Sequence, residues 1–326
     1  MIVVTGAAGF IGSNLVAELN DRGREDLILV DRLGSDSKWR NIAKRRFFDF
    51  VFPEELEARL ASLDGADAVY HLGANSSTTA TDADEIVKTN FRVSAQLWNW
   101  CTRTGTPLVY ASSAATYGNG DQGFDDFESA EHFEKVTPLN LYGWSKHTFD
   151  RWVFARKAEG ATPPFWAGLK FFNVYGPNEY HKADMMSLVA KNAARIAAGE
   201  RIMLFKSHRP DYADGEQLRD FIYVADCVRA MIWLMESRPQ SGLFNLGTGR
   251  ARSFRDLMLA TGKALGKDVA LDFRDMPQSI RANYQYFTEA KMDKLRHAGF
   301  NGPFHSLEEG VADYVTKFLV KDDKYR

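Results

Sequence analysis

Three glycines spaced three apart, Gly6-Ala7-Ala8-Gly9-Phe10-Ile11-Gly12, follow the apolar run Ile2-Val3-Val4-Thr5. Behind them, apolar residues recur at helical spacing: Phe10, Ile11, Leu15, Val16 and Leu19. A strand, a glycine turn and a helix in that order commit the chain to a βα unit with a phosphate cradle at the joint. Gly6 allows the tight turn, Gly9 lets backbone approach a pyrophosphate, and Gly12 lets the helix pack on the strand. The helix start, Phe10 and Ile11 included, then offers unpaired N–H groups and the positive dipole end to an anion.

The same alternation continues. Leu27–Val30, Arg46–Phe48, Ala68–Leu72, Leu108–Ser112 and Trp166–Phe172 read as strands. Helical patterns fall at Glu54–Ser62, Glu85–Thr104 and Tyr142–Lys157. Strands alternating with helices predict an α/β fold, a Rossmann-like doubly wound parallel sheet with helices on both faces. Beyond residue 177 the pattern loosens. Helices are expected at Met185–Ala198, Val224–Glu236, Ser253–Leu265, Glu289–Ala298 and Ser306–Leu319, with strands at Ile202–Phe205 and Leu243–Leu246. For 326 residues, at roughly 150 per domain, this predicts a dinucleotide-binding domain over 1–177. A smaller mixed α/β substrate lobe over 178–326 is interleaved with the end of the sheet, and 208–217 forms a surface loop.

Composition narrows the function classes. With 41 basic and 43 acidic residues the formal net charge is −2, which supplies no electrostatic case for nucleic acid or an anionic membrane. Only two cysteines occur, Cys101 and Cys227, both in apolar runs, and they read as buried thiols rather than a disulfide framework. No zinc spacing exists, so no metal is expected. The opening strand lacks a charged leader and no long apolar run follows, which predicts neither signal peptide nor membrane span, hence a cytoplasmic enzyme.

Asp31 closes the second strand. A carboxylate there accepts hydrogen bonds from an adenine ribose and favours NAD. Arg32 and Lys38 follow, and two cations at that hydroxyl would hold a 2′-phosphate, which places NADP ahead and keeps NAD possible. The alternative for both is a solvated basic loop. Tyr142-Gly143-Trp144-Ser145-Lys146 sets Tyr142 and Lys146 one helical turn apart on one face. Free tyrosine titrates at about 10, too high for a base at neutral pH. A neighbouring ammonium and an oxidised nicotinamide favour phenolate, which takes a hydroxyl proton as hydride leaves. Ser113 ends the preceding strand, on the rim where ligands of such sheets bind.

With Ser113, Tyr142 and Lys146 in place, the chain resembles the extended short-chain dehydrogenase/reductase family of nucleotide-sugar enzymes. His71-Leu72-Gly73-Ala74, Thr89-Asn90, Phe172-Asn173-Val174-Tyr175-Gly176-Pro177, Arg219-Asp220-Phe221-Ile222-Tyr223-Val224 and Phe244-Asn245-Leu246-Gly247-Thr248-Gly249 carry the likeness along nearly the whole chain. The resemblance implies that Ser113 and Tyr142 contact the reacting hydroxyl and that Lys146 also holds the nicotinamide ribose. It places Leu72, Gly73, Ala74, Asn75, Ser76, Asn90 and Val174 at the cofactor. Dehydratases of the family carry an Asp-Glu pair where this chain has Ala114 and Ala115. Elimination needs an acid and a base there, so water loss is disfavoured.

Ser112-Ser113-Ala114-Ala115-Thr116-Tyr117-Gly118, Gly176-Pro177-x-Glu179-x-His181-Lys182-x-x-Met185-x-Ser187 and Tyr284-Gln285-x-Phe287-Thr288 narrow the resemblance. They are similar to the branch of epimerases that inverts C6 of an ADP-linked heptose for the lipopolysaccharide inner core of Gram-negative bacteria. That branch implies tightly held NADP and a homo-oligomer, a pentamer. It implies Lys182 as a second base beside the cofactor, where an apolar cleft lowers its proton affinity; the alternative is a surface lysine. Asn173 matches a sugar contact, and Phe205, Lys206, Ser207 and His208 match a stretch near the adenosine. Arg219 offers a planar fork to the diphosphate, unless it is a structural pair with Asp220. Tyr284 reaches phosphate, unless it is a core aromatic. Asp184 stands where a serine occurs, Lys191 where a histidine occurs and Pro53 where a cofactor lysine occurs. The rival readings are an epimerase of the UDP-sugar 4-epimerase type and a non-catalytic NADP-binding regulator on the same fold.

Overall fold

Strands buried on both faces carry apolar residues at successive positions, because each face meets a layer of helices. Every residue of β1 (Ile2–Thr5), β2 (Leu27–Val30) and β4 (Ala68–His71) is buried. Between the second and fourth lies β3 (Asp49–Val51), and β5 (Leu108–Ser113) and β6 (Trp166–Phe171) follow. The remaining strands are β7 (Asn173–Tyr175), β8 (Ile202–Phe205), β9 (Leu218–Tyr223), β10 (Gly242–Leu246), β11 (Ala251–Ser253) and β12 (Leu271–Arg274). The computed structural model describes residues 1–281 and 284–326.

Seven strands form one parallel sheet in the order β10-β6-β5-β4-β1-β2-β3. This is the doubly wound, Rossmann-like α/β arrangement. Successive residues serve opposite faces. Val4, Leu29 and Tyr70 pack with Leu15 and Val16 of the helix Phe10–Asp21 and with Met231 of the helix Val224–Ser237. Val3, Ile28 and Val69 pack with Leu97, Trp98, Phe149 and Trp166 on the other face. The chain reverses between β1 and β4, so a crevice opens at their carboxyl ends. A smaller sheet, β11-β9-β7, and the pair β12-β8 form a second layer beside that crevice. The strand β10 returns from this part of the chain to complete the large sheet.

Three sequence expectations shift. The third strand is Asp49–Val51 and not Arg46–Phe48: Val51 pairs with Val30 and is buried, while Phe48 is 67% exposed. The helix expected from Met185 starts at Leu188, where Ser187 caps it through the Ala190 N–H. Within 289–298 only Asp293–His297 is helical. There the Ala290 N–H is held by Asp220 at 3.0 Å, and Glu289 accepts from the Ala251 N–H at 2.9 Å. Cys101 and Cys227 are buried thiols without a bridge. Among the described residues no helix is long and apolar enough to cross a membrane, and no three metal-ligating side chains gather.

Candidate active site

The glycine turn builds the first wall. Gly6 sits at φ 66°, and a Cβ on it would come within 2.7 Å of the Gly73 nitrogen. A side chain on Gly12 would run into the Gly6 carbonyl oxygen. Backbone thus closes on backbone, leaving a cradle that a side chain would fill and that fits a dinucleotide pyrophosphate. Gly6, Gly9, Phe10, Ile11 and Gly12 line a cleft of about 340 Å³ together with Leu72, Gly73, Ala74 and Ser76.

The second wall comes from β5 and the helix Leu141–Ala158. Ser113 ends β5 and its Oγ caps the next turn, accepting from the Ala115 N–H at 3.1 Å. Asn140 caps the helix through the Gly143 N–H at 2.9 Å. A Cβ on Gly143 would lie 2.6 Å from the Ala115 carbonyl, so its absence is what lets Tyr142 approach Ser113. Burial raises the Tyr142 phenol above its ordinary value, and contact with the Ser113 hydroxyl works the other way. Lys146 donates to the Ala111 carbonyl at 2.7 Å. Burial brings its ammonium down to about 8, against the pull of Asp150. Asp150 is fully buried beneath the floor and accepts from Lys170 at 2.7 Å, Ser112 at 2.7 Å and Tyr110 at 3.1 Å.

Lys182 enters from a separate element, the turn Tyr180–Met185. Its Nζ lies 5.3 Å above the Phe10 ring and it lines the same cleft as Tyr142 and Ser113. Burial lowers its proton affinity and Glu179 opposes the shift. Val174 and Lys182 also line a second chamber of about 350 Å³, with Asn173, Met185, Phe221 and Phe254. Two groups able to hold or give a proton, Tyr142 and Lys182, therefore line one cleft next to the glycine turn.

At the far end of the cleft Asp31 accepts from the Ala8 N–H at 2.8 Å, the Arg32 N–H at 2.7 Å and Lys38 Nζ at 2.6 Å. Arg32 pairs with Glu54 at 2.5 Å. Pro53, Glu54, Asn75 and Lys88 line the adjoining hollow of about 340 Å³. Asn90 is fully buried and clamps Asn75, accepting from its N–H at 2.8 Å and donating to its carbonyl at 2.9 Å. It sits on a π-helical stretch, Val87–Arg92, a distortion common at functional sites. Asn90 supports the cofactor wall and does not line either hollow.

Arg219 and Asp220 point to opposite faces of β9. Asp220 accepts from Thr248, Gly249 and Ala290, so it is not the partner of Arg219. The Arg219 guanidinium lies over Tyr284 at 5.1 Å and Phe254 at 5.6 Å, donating to the Leu218 and Gln285 carbonyls. It is 7% exposed, and no carboxylate among the described residues pairs with it. Phe205 stands edge-on to Tyr284 at 6.5 Å. In the loop that follows, Lys206 faces Asp275 at 3.7 Å, and the Ser207 N–H binds Asp214 at 2.8 Å. His208 accepts from the Met276 N–H at 3.2 Å. Asp184 and Lys191 do not line either chamber; Lys191 folds onto the Asp184 carbonyl.

Sequence reasoning gave no role to Glu179, His181, Asn41 or Lys88. Glu179 and His181 stood inside a quoted stretch, so spacing could have flagged them. Asn41 carried no signal: it reaches the site by tertiary contact, donating to the Ala8 carbonyl at 2.8 Å and the Asn178 carbonyl at 3.1 Å.

The model of one protein family, NAD dependent epimerase/dehydratase, matches residues 2–247. The ADP-L-glycero-D-manno-heptose-6-epimerase of Fusobacterium nucleatum is 46% identical over 334 residues, covering 100% of both chains. The protein of the same name from Nitratidesulfovibrio vulgaris is 46% identical over 328 residues, again covering 100% of both. Among solved structures, Helicobacter pylori ADP-L-glycero-D-manno-heptose-6-epimerase superposes with TM-score 0.81 at 27% identity, covering 97% of this chain and 95% of that one. Thermus thermophilus UDP-glucose 4-epimerase, solved with NAD, gives 0.74 at 25%, covering 96% and 97%.

Proposed function

Because the chain belongs to the NAD dependent epimerase/dehydratase family, we propose that it inverts C6 of ADP-D-glycero-D-manno-heptose to give the L-glycero epimer. The observation that carries this reading is that Tyr142 and Lys182, from separate elements of the chain, line one cleft. Two acid–base groups in one cleft can exchange the hydroxyl proton on either face of the carbon, whereas a one-way dehydrogenation uses one.

The residues fit a nicotinamide dinucleotide. The Gly6–Gly12 cradle takes the pyrophosphate, Lys146 the nicotinamide ribose, and the Asp31, Arg32 and Lys38 corner the adenine ribose. When bound, that cofactor takes up and returns a hydride, with no net redox change. Tyr142 accepts the hydroxyl proton on one face, with Ser113 orienting the oxygen and Lys146 favouring the phenolate by its charge. Lys182 exchanges the proton on the other face. Arg219, buried without a carboxylate partner, suits the diphosphate by charge-assisted bonds. Tyr284 beside it suits a phosphate, Phe205 the adenosine end, and Asn173 the sugar. Ala114 and Ala115 supply no acid or base for water loss.

The proposed cofactor is NADP, with Lys38, Arg32 and Lys88 as the cations around the 2′ position. Denaturing the purified protein should release NADP; NAD alone would assign that corner to Asp31. The setting is a homo-oligomer, a pentamer, acting in the cytoplasm on lipopolysaccharide precursors, with a cofactor domain over 1–177 and a substrate lobe over 178–326. The direct test is incubation with ADP-D-glycero-D-manno-heptose followed by proton NMR at C6. Conversion to the L-glycero epimer with no solvent deuterium at C6 is expected. No conversion, or a dehydrated product, would overturn the reading.

A further inference from the structure

The turn that carries Lys182 is gripped from two sides. From the cofactor half, Asn14 donates to the Pro177 carbonyl at 2.9 Å, and Asn178 donates to Ser13 Oγ at 3.0 Å. Asn41 holds the Asn178 carbonyl and faces His181 Nδ1 at 3.1 Å. From the other side comes the segment Lys321–Arg326, which leaves the π-helical stretch Val315–Leu319 of the substrate lobe. The Arg326 N–H donates to Asn178 Oδ1 at 3.0 Å. Tyr180 donates to the Lys324 carbonyl at 2.8 Å, its ring meets Tyr325 edge-on at 5.2 Å, and Lys324 Nζ stands 4.4 Å above it.

The segment is anchored on the phosphate-loop helix as well. Arg326 pairs with Glu18 at 2.8 Å and reaches Asp21 at 3.3 Å. Lys44 holds Asp323 at 2.6 Å and the Tyr325 carbonyl at 2.7 Å. Two non-glycine residues of the turn hold positive φ, Asn178 at 72° and Ala183 at 47°, on either side of Lys182; an asparagine adopts this region readily, an alanine does not. An alanine holds such a conformation only where its surroundings over-determine it. Asn178 is fully buried, and two of its partners, Ser13 and the Arg326 N–H, lie in different halves of the molecule.

We propose that Lys324, Tyr325 and Arg326 are positioning residues for the reaction, forming a strap that clamps the Asn178–His181 turn to the phosphate-loop helix and so holds Lys182 in the cleft it shares with Tyr142. The inference rests on the reading of Lys182 as the second acid–base group. Glu179 is the charge that acts on the Lys182 amine, Lys38, Asp36 and Asp31 act on His181 beside it, and Asp31, Lys38, Tyr142 and Lys146 line the same cleft. The strap touches none of these side chains directly, so its effect runs through the backbone of the turn.

The test uses the full chain carrying Tyr325→Ala with Arg326→Ala, beside Lys182→Met and the conservative pair Tyr325→Phe with Arg326→Lys. A displacement of about 1 Å costs on the order of 10²-fold, so the alanine pair should lose about ten- to a hundredfold in kcat by that measure. KM and bound cofactor should stay as in the parent. The pH limb that belongs to Lys182 should move to higher pH, because release from burial returns the amine toward its ordinary value. The conservative pair should restore both rate and limb. Parent kcat with an unshifted limb in the alanine pair, while Lys182→Met is inactive, overturns the strap alone, even if the thermal midpoint falls. Full activity in Lys182→Met overturns the reading beneath it. Should the alanine pair not fold, Tyr180→Phe removes the hydroxyl that donates to the Lys324 carbonyl, and an unshifted limb there counts equally against the proposal.

Discussion

Tyr142→Phe should lower kcat by about 10²–10⁴-fold, the usual contribution of a positioned proton-transfer group, while bound dinucleotide is retained. The ring still fills its place beside Ser113 and the cradle is untouched, so the loss falls on the chemical step. The pH dependence has a definite sign. Burial keeps the phenol above its ordinary value, so the protonated form prevails at neutral pH and the phenolate grows as pH rises. The rate limb that requires the base therefore climbs with pH in the parent and vanishes in the variant. Lys146, brought down to about 8 by burial, loses its charge above that value and with it the cation that favours phenolate. Steady-state kinetics across pH, with cofactor counted after denaturation, measures both effects. A variant within tenfold of the parent would remove Tyr142 from the mechanism.

Lys182→Met should cost a similar factor, about 10²–10⁴ in kcat, for a different reason. Methionine keeps the length and the packing on Phe10 but can neither hold nor give a proton. Burial lowers the Lys182 amine and Glu179 partly restores it. A lowered value means that less alkaline solution suffices to make the neutral base, and that the ammonium stops donating earlier as pH rises. The part of the alkaline limb that belongs to Lys182 should therefore be absent in Lys182→Met, leaving the loss that follows discharge of Lys146. Full activity there, with the profile unchanged, would leave Tyr142 as the only acid–base group and move the chemistry toward a one-base, 4-epimerase-like scheme.

The cofactor half was legible because its signals are local. Gly6, Gly9 and Gly12 are demanded by backbone contacts within the same βα unit and its neighbour β4. Tyr142 and Lys146 share a helix face because α-helical geometry puts residues four apart on one side. Edges were less legible. Phe47 and Phe48 look like strand residues, yet they are exposed, and the pairing passes to Asp49–Val51, where Val51 finds its buried place. Asp293–His297 is shorter than its apolar pattern because Glu289 and Ala290 are held by Ala251 and Asp220 from distant strands. Arg219 and Asp220, adjacent in sequence, suggested a pair; strand alternation sends them to opposite faces.

The sequence by itself determined the parallel α/β sheet, the glycine turn and the proposal of Ser113, Tyr142 and Lys146, which line one cleft. Periodicity, turn chemistry and helix spacing act over a few residues and leave their mark in order along the chain. Only the tertiary structure decided that Lys182 shares a cleft with Tyr142, that Arg219 is buried without a carboxylate among the described residues, and that Lys324–Arg326 contact the Asn178–His181 turn. Those relations join residues as many as 312 positions apart, as between Arg326 and Asn14. Each depends on which faces the packed core brings together, which no local pattern specifies.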